Sequence, residues 1–66
     1  MQLIVNGEER SFAALDSVAA LVGALGLDAR KVAVERNLEI VPRSTFARVA
    51  LADGDRIEIV HFIGGG

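Results

Sequence analysis

The segment Met1-Gln2-Leu3-Ile4-Val5-Asn6-Gly7-Glu8-Glu9-Arg10-Ser11-Phe12 carries the strongest local signal in the sequence. Met1, Leu3 and Val5 alternate with Gln2, Ile4 and Asn6, the period of a strand. Asn6-Gly7 follows at once. This dipeptide tolerates positive φ at both positions, as a tight two-residue hairpin turn requires. The segment from Glu8 to Phe12 therefore returns as a second, antiparallel strand.

Working outward, Asp16-Ser17 supplies two side chains able to accept from free backbone N–H groups at a helix start. Val18, Leu21, Val22 and Leu25 then fall at i, i+3, i+4 and i+7, one helical face. Ala19, Ala20 and Ala24 add helix propensity, and Gly26 stands where a left-handed C-terminal cap is expected. Gly23 costs about 1 kcal/mol relative to alanine, so the helix is short. The stretch from Val32 to Arg36 reads as a third strand, and that from Leu38 to Val41 as a short fourth ending at Pro42. Proline suits the first position of a helical turn, which runs through Phe46. Val49 and Leu51 supply further buried positions. Asp53-Gly54-Asp55 is a turn, and the chain from Arg56 to Phe62 is the last strand. The economical assembly is α+β: a mixed sheet of four to five strands with one main helix packed across it. The first and last strands lie side by side and parallel in the middle. This is the β-grasp arrangement. It spans residues 1–63, followed by a flexible glycine tail, 64–66.

Composition bounds what such a domain can do. A chain of 66 residues is one small domain. With no cysteine and one histidine, it has neither disulfides nor a structural zinc site. At 52% hydrophobic, a dense core can carry the fold instead. Seven basic residues against nine acidic ones give no electrostatic footprint for nucleic acid. The longest apolar stretch, Val18 to Leu27, is about half of what a bilayer span needs. No basic region precedes the apolar start, so a signal peptide is not expected. The expectation is a soluble, cytoplasmic domain that is not itself an enzyme, because few ionisable groups can converge on a pocket.

The last strand breaks the pattern of a covered core. If Ile57 and Ile59 face the helix, period two sends Arg56, Glu58, Val60 and Phe62 to the other face. Ile4 and Ala33 share that parity in their own strands. A cluster of exposed apolar groups reads as a docking surface for a partner. The alternative is that Phe62 folds back and covers Val60.

The sequence stops at Gly64-Gly65-Gly66. A tail without Cβ atoms is thin enough to thread into another protein's active site. A terminal carboxylate is unreactive until activated, and formation of an acyl-adenylate with ATP is the usual route. The alternative is an inert, disordered end.

Over nearly its whole length the chain resembles the thiamine-biosynthesis sulfur carrier proteins, the ThiS family, which are ubiquitin-like β-grasp proteins. The resemblance rests on Val41-Pro42-Arg43, on Asp53-Gly54-Asp55-Arg56-Ile57-Glu58-Ile59-Val60, on Gly64-Gly65-Gly66 and on the opening hairpin. The family often shows an Asn-Gly-like turn after the third strand, and Glu35-Arg36-Asn37-Leu38-Glu39 departs from it. The resemblance implies that an E1-like adenylyltransferase of the ThiF type uses Mg-ATP to adenylate Gly66. Sulfur originating from a cysteine desulfurase then replaces AMP, leaving a C-terminal thiocarboxylate (1-thioglycine). Thiazole synthase, of the ThiG type, takes that sulfur to build the thiazole of thiamine. Gly64 and Gly65 form the tail, no cofactor is bound, and Phe62, Val60, Ile4, Ala33 and Glu58 are the candidate partner-binding residues. Lacking cysteine, the chain has only its C-terminus on which to carry sulfur.

Other readings stay open. The small subunit of molybdopterin synthase shares fold, tail and activation, but is typically longer and reaches its glycines through a proline-containing stretch. Val60-His61-Phe62-Ile63 contains no proline. A sulfur carrier of another pathway and a binding module with an inert tail are further alternatives. So is a protein modifier, although Lys31 is the only lysine on which chains could grow. His61 is expected to be a partly covered structural residue. Asp53, Asp55 and Glu58 read as turn and surface residues rather than a metal site. Arg43 and Arg56 are expected to be solvated.

Overall fold

The computed structural model describes the chain from Met1 to Phe62. The first hairpin forms as its residues require. Strand β1 (Gln2–Val5) pairs antiparallel with β2 (Glu8–Ser11), Val5 lying opposite Glu8. Asn6 at φ 49° and Gly7 at φ 82° make the connection, both in the left-handed region. Leu3 and Val5 turn inward and are buried, while every residue of β2 is exposed. As an edge strand, β2 is blunted by Glu8, Glu9 and Arg10.

Helix α1 (Val18–Ala24) buries Val18, Leu21 and Val22. Its first N–H groups are all satisfied. Val18 donates to the carbonyl of Val49 at 2.9 Å and Ala19 to that of Phe46 at 2.8 Å. Ala20 donates to the Ser17 hydroxyl at 3.1 Å, so Ser17 rather than Asp16 is the cap. At the other end Gly26, at φ 73°, donates to the Gly23 carbonyl and Leu27 to that of Val22. These crossed bonds form a Schellman motif and stop the helix.

Strand β3 (Val32–Arg36) turns through Asn37 and Leu38 into β4 (Glu39–Val41), so the fourth strand is one residue shorter than expected. Both turn residues have positive φ, 51° and 72°. The backbone is therefore that of the first hairpin's turn, with leucine in place of glycine. Short 3-10 turns at Ala29–Lys31 and Arg43–Thr45 flank this hairpin. Strand β5 (Arg56–His61) inserts between the two hairpins, parallel to β1 and antiparallel to β3. The five-stranded order is β2-β1-β5-β3-β4.

The core lies between one face of the sheet and α1. Leu3, Leu21, Val32 and Ile57 are almost wholly buried there, and Phe46 closes one end. Val49 and Leu51, expected to be buried, are half-buried at its margin. Among the described residues no helix is long and apolar enough to cross a membrane.

Candidate functional site

The sheet face opposite α1 has no covering element, and its composition follows from register. On β5, Ile57 is buried and Ile59 half-buried, so Arg56, Glu58 and Val60 stand on the open side. Val60 pairs with Ala33 and Ile4 with Arg56, which places all four on this face. Val60 is 60% exposed and Phe62 47% exposed, so Phe62 does not fold over to cover Val60. Ala33 is exposed, whereas Ile4 is half-buried between its neighbours. Phe62 is held by its backbone: its N–H donates to the Lys31 carbonyl at 2.7 Å. Ile63 and the tail residues Gly64, Gly65 and Gly66 lie outside the described residues.

Glu58, the charged member of the candidate surface, lies directly opposite Glu35 on the adjacent strand. Two carboxylates in that relation repel each other. Neither belongs to an ion pair among the described residues, where Arg30 pairs with Asp28 and Arg36 with Asp55.

Parity applied to β4 exposes residues that the reading of β5 alone misses. Ile40 lies opposite Glu35 and is 73% exposed. Leu38, at the tip of the turn, is 82% exposed and lines a shallow hollow with Asn37 and Arg56. The open face therefore carries apolar groups on β4 as well as on β3 and β5.

The acidic residues of the Asp-Gly-Asp turn have structural partners. Asp53 accepts from the Gln2 N–H at 2.6 Å. Asp55 is buried, which by itself would raise its pKa. Hydrogen bonds from Asn37, the Ala52 N–H and Arg36, together with the Arg36 charge, more than offset burial and hold the carboxyl below its ordinary value. These bonds measure 3.0, 2.8 and 2.7 Å. Glu58 projects from the open face, away from both aspartates.

Two expectations need correction. Arg43 is not simply solvated. Its guanidinium donates to the carbonyls of Ala29 at 2.9 Å and Val32 at 3.2 Å, tying the second 3-10 turn to the start of β3. Its chemistry in the Val-Pro-Arg motif is thus to satisfy carbonyls that have no strand partner. His61 is exposed rather than partly covered, and lines a groove with Leu25, Leu27 and Ile59. Arg56 is exposed, as expected.

Comparison with known proteins places this geometry. The chain is 67% identical over its full length to part of a thiazole synthase of Paramagnetospirillum magneticum, and spans 20% of that protein. It is 44% identical over 50 residues to the sulfur carrier protein ThiS of Bacillus subtilis, covering 76% of each chain. The crystal structure of the thiamine biosynthesis protein ThiS from Geobacter metallireducens superposes with a TM-score of 0.84, at 38% identity over 100% of both chains. The pattern of the ThiS family matches residues 3–66, so the match extends from the first strand through the terminal glycines, and the chain belongs to that family.

Proposed function

We propose that this domain is a sulfur carrier of thiamine biosynthesis, with Gly66 as the residue that carries the sulfur. The observation that supports the reading most directly is the run of the family match through the glycine end, together with an uncovered apolar face that carries Val60 and Phe62. In this reading the sheet face is a handle. Val60, Phe62 and Ala33, with Ile4 and Glu58 at their margin, seat the domain on an E1-like adenylyltransferase. The tail then presents the Gly66 carboxylate to Mg-ATP. The carboxylate displaces pyrophosphate from ATP to give the acyl-adenylate. A persulfide derived from a cysteine desulfurase displaces AMP to give an acyl disulfide, and a thiol then cleaves the S–S bond, itself ending in a disulfide. The product is a thiocarboxylate. It passes its sulfur to a thiazole synthase, the activity for which longer relatives with a segment matching this domain are named. The domain contributes position and access, and its partner contributes the catalytic groups.

Intact mass before and after a thiol-specific alkylating reagent tests this. The chain has no cysteine, so a reactive sulfur on it is acquired. The expected result is an alkylated species whose adduct maps to Gly66 in protein isolated from its own cells. If the protein never reacts, even with ATP, an adenylating partner and a sulfur source supplied, the carrier reading is wrong.

A further inference from the structure

The β3–β4 turn holds a leucine where the backbone favours glycine. Leu38 has φ 72°, in the left-handed region that a side chain with a Cβ adopts under strain. It is also 82% exposed, so burial within the domain does not offset the strain. The first hairpin makes the same turn with Asn6-Gly7 and has neither penalty. A strained, solvated leucine is unfavourable for the free domain on both counts, which directs attention to a contact outside it.

Its surroundings indicate the chemistry of that contact. Ile40, 73% exposed, lies beside Glu35, and Glu35 beside Glu58. Val60 and Ala33 form the next pair of β5 and β3 on the same face, two positions along. Two opposed carboxylates thus sit within an apolar rim, without an ion-pair partner among the described residues. A partner that complements this face presents an apolar socket and, next to it, a basic side chain. The longer relatives supply a specific occupant. In these relatives a segment matching this domain makes up 20% of a thiazole synthase, and such a tether holds the domain at high effective concentration against the remainder of that protein.

We propose that Leu38 and Ile40, together with the Glu35–Glu58 pair, are the contact by which this domain docks on thiazole synthase. Leu38 fills an apolar socket there, and a basic side chain of the synthase lies between the two carboxylates. The inference rests on the carrier reading and extends its surface from β5 to the β3–β4 hairpin.

The test measures binding of the intact chain to purified cognate thiazole synthase, alongside thermal unfolding of the free chain. Leu38→Gly removes the strain and the side chain together. The expected result is an unfolding midpoint equal to or above that of the unaltered chain, with affinity at least about tenfold weaker. A second variant, Glu35→Gln with Glu58→Gln, removes the repulsion. It is expected to raise the midpoint, weaken binding, and abolish most of the salt dependence seen with the unaltered chain. If Leu38→Gly binds within about twofold of the unaltered chain, the proposal is wrong. Unchanged synthase binding with slower adenylation would assign the surface to the adenylating enzyme and also overturn it. Failure of the unaltered chain to bind the synthase would overturn the carrier reading, and the inference with it.

Discussion

Asp55 shows how much of this fold hangs on single side chains. It is 7% exposed and joins three parts of the molecule: Arg36 at the end of β3, Asn37 in the following turn, and the Ala52 N–H ahead of β5. Asp55→Ala leaves these donors unpaired, and we expect a loss of about 2 kcal/mol in urea unfolding at neutral pH. The folded carboxyl has a pKa below the ordinary 3.8, so its stabilisation is fully present above that value and is lost as pH falls through the folded pKa. The gap between the unaltered chain and the variant should therefore be constant near neutrality and close in acid. A gap that stays constant through the acid range would remove the carboxylate from the account. Residues of this kind mark where sequence reading stops. Asn6-Gly7 declares its turn because glycine accepts positive φ freely. Asn37-Leu38 does not, since its turn is imposed from outside: Asn37 donates to and accepts from Arg56 and donates to Asp55. Arg43 likewise reads as a surface charge, because its acceptors lie 11 and 14 residues earlier.

At the scale of elements, the helix was as legible as the first hairpin. Its apolar period, the Ser17 cap and Gly26 are all local signals, and all appear where local chemistry puts them. The acceptors for its first two N–H groups were not legible, because they come from Phe46 and Val49 in a loop more than twenty residues on. That loop therefore holds the helix start in place as well as filling the end of the core. Gly23 is the weak point within α1. It is exposed, its φ is not positive, and an added Cβ would meet nothing within 4 Å. Gly23→Ala should stabilise the domain by roughly 0.5–1 kcal/mol in chemical denaturation. A destabilised variant would mean that helix propensity does not govern stability at this position.

The whole molecule is two hairpins closed on one central strand. Each hairpin begins its turn with an asparagine in the left-handed region, and each asparagine grips β5. The Asn6 side chain accepts from the Ile59 N–H at 2.7 Å and donates to its carbonyl at 3.3 Å. Asn37 does the same work at Arg56, accepting from its N–H at 2.9 Å. The open face was legible in β5, where parity places Val60 outward, and went unread in β4, where the same count places Ile40 outward. Phe62→Asp tests the handle as a unit. The far-UV circular dichroism should not change, since Phe62 is 47% exposed and its backbone makes the bond to Lys31. Adenylation by the partner should slow by at least about tenfold. Unfolding of the variant, or normal adenylation, would count against a docking role. The central position of β5 also has a mechanical meaning. A pull on the chain at Phe62 loads the ladders to β1 and β3 side-on, so their hydrogen bonds share the force instead of opening one after another. The domain is therefore a rigid anchor for any pull applied to the chain at Phe62.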